Sequence, residues 1–249
     1  MNIVVICMDT LRADITEHAW EDDVAIPHLD RLRETSVVFE QCYGEAEPTI
    51  PMRKGCFTGM RGFPWRIHID DTGSFPNIPG WHAIPPEQTT LAEAAVAAGV
   101  CTGLVTDVWH YFKPTMNYVR GFAGYAYIRG QEGDTTRTGP VAAVLPQLAR
   151  HLPADLATPE KTPGMVKYLL NVLDRKGEED YFAAQVFRTA SQWLRDNAAN
   201  QPFLLWVDSF TPHECWDPPV YYADRYFSKP GLRDYIYPQF VQRTHPFTE

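Results

Sequence analysis

Thr49 and Arg53 stand four residues apart in Glu47-Pro48-Thr49-Ile50-Pro51-Met52-Arg53, a spacing that puts both side chains on one face of a helix. With Thr49 as the N-cap, its hydroxyl lies where the free N–H groups and the positive end of the helix dipole converge. Pro51 is tolerated there because a first turn needs no N–H donor. A guanidinium one turn along reaches an oxyanion beside that hydroxyl. Together these make an ester-cleaving unit: a nucleophile, an anion-stabilising helix end and an arginine. Taken alone, the stretch reads first as an ordinary capping threonine with a surface arginine.

Three further residues extend the chemistry. Asp9 closes the apolar run Ile3 to Met8 and can hold a hard cation at a sheet edge, or serve as a turn or N-cap aspartate. His110, in Asp107-Val108-Trp109-His110-Tyr111, follows the apolar run Val100 to Thr106. His213, in Thr211-Pro212-His213-Glu214, follows Phe203 to Val207. Imidazoles just past two central strands can hydrogen-bond a bound oxyanion or protonate a leaving alkoxide.

Those three apolar runs are the strands that must position the site. Ile3 to Met8 reads as a strand buried on both faces of a parallel sheet, with Ser36 to Phe39 as a further strand-like piece. Helices are expected at Pro27 to Glu34, at Ile50 to Phe57 closing near Gly59, and at Leu91 to Ala98 capped by Thr89/Thr90. Val141 to Arg150 and the amphipathic Tyr181 to Asn197 complete the set. Residues 62–86 read as a surface excursion and 111–165 as loop-rich. Strands alternating with helices predict an α/β fold, a doubly wound, mostly parallel sheet flanked by helices, with function at the carboxyl ends of the strands. Thr248-Glu249 reads as a helix start with nothing behind it, so 1–249 is expected to be one α/β domain lacking its C-terminal part.

Composition narrows the classes. The 249 residues are 45% hydrophobic and 21% charged, which fits a globular domain and neither a disordered chain nor a coiled coil. A net charge of −9, with no Lys/Arg cluster, argues against a nucleic-acid surface. Five scattered cysteines form no CxxC and read as reduced core thiols. No apolar run is long enough for a signal peptide or a membrane span, which predicts a cytoplasmic protein without membrane contacts. HExxH, GxSxG, GxGxxG and P-loop templates all fail.

In order along the chain, these residues resemble the bacterial sulfatase family of the alkaline-phosphatase superfamily. The resemblance rests on Asn2 to Ile6 with Asp9-Thr10-Leu11-Arg12-Ala13-Asp14, Ile26-Pro27-His28-Leu29-Asp30-Arg31-Leu32, and Thr49 to Arg53 at the family's C/S-x-P-S-R position. It continues through Thr90-Leu91-Ala92-Glu93 with Trp109-His110, then Arg120-Gly121-Phe122 and Arg129-Gly130-Gln131-Glu132 with Asp134, and Pro202-Phe203 to Pro219.

By this likeness, Asp9 is a metal ligand and Thr49 a metal-bound nucleophile. Arg53 steadies nucleophile and anion, while His110 and His213 contact substrate oxygens or the leaving group. The cofactor is a divalent cation (Ca, Mn or Zn) and the substrate a small-molecule sulfate or phosphate ester. Departures are as telling. Thr49 cannot form the formylglycine that sulfatases make from Cys or Ser, Thr10 replaces a second aspartate, Met52 the motif serine and Val108 a sulfate-binding lysine. A threonine nucleophile resembles instead the superfamily's phosphodiesterases and phosphonate-cleaving members. A catalytically silent homologue that binds an oxyanion or a protein partner is the alternative.

Overall fold

The computed structural model describes residues 1–18, 24–62, 80–112, 116–227 and 235–237. Most of the expected 62–86 excursion and the Thr248-Glu249 helix start lie outside them. The expectation at sequence level is one domain over 1–249. The chain divides into two compact units, one built from Met1–Ile128 and Phe182–Pro212, the other from Arg129–Tyr181 and His213–Glu249.

The first unit opens with β1 (Ile3–Met8), α1 (Ala13–Thr16), α2 (Pro27–Glu34) and α3 (Thr49–Thr58). It continues through α4 (Leu91–Ala97), β2 (Cys101–Thr106) and β3 (Gly124–Tyr127). The second unit holds α5 (Leu145–His151) and α6 (Pro163–Asn171). The chain then returns to the first unit for α7 (Phe182–Asp196) and β4 (Phe203–Ser209), and α8 (Val220–Ala223) lies in the second.

The four strands form one sheet in the order β1-β4-β2-β3, and all its pairs are parallel. Side-chain alternation sends the strands' two faces to different cores. Leu104 and Trp206 join Ile50 and Phe57 of α3 on one face, while Val105, Leu205 and Val207 meet Val186 and Ala190 of α7 on the other. The fold is therefore a parallel sheet flanked by helices, as expected.

Local chemistry explains where the helices start and stop. Thr90 caps α4 through a reciprocal box: its hydroxyl accepts the Glu93 N–H at 3.1 Å, and the Glu93 carboxylate accepts the Thr90 N–H at 2.8 Å. Gly59, at φ 64, ends α3 in the left-handed conformation. Pro163 sits in the first turn of α6, whose Met165, Val166, Leu169 and Leu170 are buried.

Several expectations need correction. Ser36–Phe39 is not a strand; Val37 and Phe39 point into solvent, and the segment has no partner strand among the described residues. β1 is not buried on both faces, because it lies at a sheet edge with Ile3, Val4 and Ile6 exposed. β3 emerges from the stretch read as loop-rich, and α6 begins at its end and runs on through residues to which no element was assigned. The helix expected over Val141 to Arg150 is a short 3-10 turn, Val141–Ala143, followed by α5. All five cysteines are free, and Cys42 and Cys56 are exposed rather than in the core.

Candidate active site

Parallel strands in register bring their carboxyl ends to one edge. Cys7 of β1 and Thr106 of β2 both pair with Asp208 of β4. Asp9 and Asp107, each just past its strand, therefore flank Asp208, and all three aspartates are buried. The Asp9 N–H donates to the Ser209 carbonyl at 3.0 Å, and the Asp107 N–H to the Asp208 carbonyl at 3.3 Å, prolonging the strand pairing. Thr10, next to Asp9, turns the chain at φ 57, where a β-branched residue is strained.

Helix α3 lies on this edge through Arg53, only 2% exposed and so not a surface residue. Its Nε donates to Asp208 Oδ2 at 3.1 Å and its Nη2 to Asp208 Oδ1 at 2.8 Å, a bidentate fork. Its Nη1 stands 2.9 Å from Asp9 Oδ2. Burial works against the guanidinium's charge, but Asp208, Tyr111 and Asp9 outweigh it and hold the group above its usual range. Asp208 also accepts from the Tyr111 hydroxyl and, at 3.3 Å, from Trp206 Nε1. Burial pushes the Tyr111 phenol well up, reinforced by Asp208, so it stays a donor.

Thr49 is buried at the first residue of α3. It is not the N-cap: Pro48 holds that place, and the Pro48 carbonyl accepts the Met52 N–H at 3.1 Å. The start of the helix is also held by Tyr118, whose hydroxyl donates to the Ile50 carbonyl at 3.1 Å.

Asp107 has a different character. Its Oδ1 accepts the Phe210 N–H at 2.6 Å, whereas its Oδ2 is buried without a hydrogen bond. Burial raises its carboxyl to about 7, the Phe210 N–H only partly offsetting this.

Of the residues singled out from sequence, Asp9 and Arg53 meet directly, and Thr49 sits one turn before Arg53 on the same helix. His110 is buried in the same unit, with its ring edge-on to Trp81 at 4.9 Å and to Phe210 at 5.8 Å. His213 belongs to the second unit, where its Nδ1 faces the Glu214 carbonyl at 2.9 Å and the Glu214 carboxylate at 3.1 Å. Asp208, Tyr111 and Asp107 were not singled out. The rule that picked Asp9, a carboxylate closing a strand, also applies to Asp107 and Asp208.

A parallel α/β sheet with buried carboxylates and an arginine at its carboxyl edge defines the class of fold, and the comparisons give the family. The chain belongs to the sulfatase family, whose profile, described as Sulfatase, matches residues 1–236. It is 33% identical to an N-acetylgalactosamine-6-O-sulfatase of Bacteroides thetaiotaomicron over 109 residues, which cover 44% of this chain and 20% of that protein. It is 25% identical to human arylsulfatase G over 218 residues, covering 83% of this chain and 40% of that one. The fold matches the phosphonate monoester hydrolase of Agrobacterium radiobacter with a TM-score of 0.57 at 15% identity, covering 88% of this chain and 42% of that one. The chain thus spans less than half the length of each.

Family members generally use a divalent metal. The described residues do not by themselves fit one. Asp9 and Thr49 offer one carboxylate and one hydroxyl, and Arg53 already lies on the Asp9 oxygen that has no hydrogen bond. No group of three or more His, Cys, Asp or Glu suited to a cation occurs among the described residues, whereas Ca²⁺ takes about six to eight oxygens.

Proposed function

We propose that the protein is a hydrolase of small-molecule sulfate or phosphate esters in which Thr49 is the nucleophile and Arg53 the anion-binding group. The observation that carries this reading is the placement of Arg53. A buried arginine, one turn past a buried threonine at a helix start, is locked onto aspartates at the carboxyl edge of the sheet. Two of the five N–H donors of the guanidinium are hydrogen-bonded to Asp208, and Nη1 lies beside Asp9 without a hydrogen bond to it, which leaves N–H donors for a substrate oxyanion.

In this reading Thr49 Oγ1 bonds to the sulfur or phosphorus as the ester oxygen departs, and the threonine proton passes to solvent. His110 donates a proton to the leaving alkoxide, and water then cleaves the threonine ester to release sulfate from a sulfate ester, a phosphate monoester from a phosphodiester, or a phosphonate from a phosphonate ester. Asp9 would contribute one ligand to a divalent cation, with further donors needed from outside the described residues. A threonine at this position favours phosphodiesters or phosphonates over sulfates, since it cannot become formylglycine.

The test is hydrolysis of matched p-nitrophenyl sulfate, phosphodiester and phosphonate by the whole protein with Ca²⁺, Mn²⁺ or Zn²⁺. Turnover abolished by Thr49→Ala is expected; full activity in that variant removes the nucleophile assignment. A second reading, a silent homologue that binds an oxyanion or a protein partner, is favoured by Thr49 itself, which cannot become formylglycine. It predicts no turnover with any pairing of substrate and metal.

A further inference from the structure

We infer that Asp208 and Tyr111 are positioning residues for Arg53. This rests on the hydrolase reading above and adds two residues to it. Asp208 is fully buried, and both its oxygens are spent on four donors: Arg53 Nε and Nη2, the Tyr111 hydroxyl and Trp206 Nε1. Three of the four converge on Oδ2, and the second N–H of the guanidinium fork takes Oδ1. Tyr111 is held in turn by stacking on Tyr118, with ring centroids 4.8 Å apart and planes at 10°. Tyr118 bonds the Ile50 carbonyl in the first turn of α3.

Thr49 and Arg53 are therefore aligned by one connected network, running from β4 through Asp208 and Arg53 and back to the helix start through Tyr111 and Tyr118. A single Asp9 contact would leave the guanidinium free to swing about its stem. The Asp208 fork fixes its plane, so the N–H donors not bonded to Asp208 keep a fixed direction. Preorganised donors of this kind act on charge that develops in the transition state, and small misplacements are costly there.

Asp208→Asn keeps the size but puts an NH₂ donor against the guanidinium. Tyr111→Phe keeps the stacked ring and removes only the hydroxyl. In the whole protein, Asp208→Asn should lower kcat roughly 100-fold with KM within about 3-fold, and Tyr111→Phe should lower kcat about 10-fold. If Asp208 acts through Arg53, its effect vanishes in an Arg53→Ala background, a coupling that general loss of packing would not produce. Additive losses, or a rise in KM at constant kcat, would overturn the assignment.

Positioning is also read without turnover, by hydrogen–deuterium exchange over residues 49–58. Both variants should speed exchange in the first turn of α3 and leave α7 unchanged. Unchanged exchange in the soluble Tyr111→Phe variant overturns the inference whatever the activity. A wild-type protein without turnover counts against the hydrolase reading alone, and the exchange result then decides the positioning role by itself.

Discussion

A buried carboxylate answers to its immediate neighbours, and Asp107 and Asp208 sit side by side with opposite surroundings. Asp208 has four donors; Asp107 has one backbone N–H and a bare oxygen. Its carboxyl, raised to about 7, keeps in the folded state a proton that the unfolded chain has released near pH 4. The folded protein thus binds more protons between about pH 4 and 7, so stability falls as pH rises through that window and levels off above it. Asp107 should therefore cost the wild type roughly 2–3 kcal/mol between pH 5 and pH 8, at 1.36 kcal/mol per pKa unit. Asp107→Asn keeps an acceptor for Phe210 and should remove this slope, measured by urea unfolding at the two pH values; equal slopes would contradict the assignment. Thr10 offers a second test at this scale. An aspartate tolerates its left-handed φ better and adds a carboxylate beside Asp9. Ca²⁺ should raise the melting temperature of Thr10→Asp by a few degrees more than that of the wild type, and equal shifts would argue that the two side chains do not converge.

At the scale of elements, the sequence was most legible where local signals agreed with tertiary need. The helix at Pro27–Glu34 and the Thr90 cap were readable because proline, capping residues and apolar spacing all act within a turn. The Arg53–Asp208 fork spans 155 residues and the Tyr111–Asp208 bond 97, so neither leaves a local trace. Thr49 was misplaced by one residue because the Pro48 carbonyl takes the first helical hydrogen bond. β3 was missed because Gly124-Tyr125-Ala126-Tyr127 is a four-residue edge strand whose pairing with β2, not its pattern, makes it a strand. α6 did carry an apolar stripe at helical spacing, but most of it lies past the loop-rich 111–165 in residues to which no element was assigned. One element-level contact had no sequence signature at all. Trp193 of α7 lies over Gly103 of β2, where an added Cβ would come within 2.4 Å of the indole. Gly103→Val should destabilise by about 1–3 kcal/mol through overpacking, and Trp193→Leu in the same chain should recover part of it in thermal unfolding. Additive losses would mean that the strand and helix do not meet there.

At the scale of the whole chain, the open feature is β1. Val5 and Cys7 pack against the core on the α3 side, so alternation turns Val4 and Ile6 to the opposite face. There α7 covers Leu205 and Val207 of β4, while Val4 and Ile6 remain 44% and 52% exposed. Among the described residues, β1 pairs only with β4, leaving its outer edge without a strand. An apolar face beside an unpaired parallel edge is the arrangement from which sheets extend between molecules. The 249-residue chain by itself should therefore self-associate as its concentration rises into the range of about 100 µM. Ile6→Lys places a charge on that face without touching the α3 side or the aspartates, and it should shift the equilibrium toward monomer in light scattering after gel filtration. A wild-type chain that stays monomeric at that concentration would mean the β1 face is covered by other parts of the chain. Association unchanged by Ile6→Lys would place the contact elsewhere, with the exposed Leu32, Val37, Phe39 and Tyr43 as the next surface to charge.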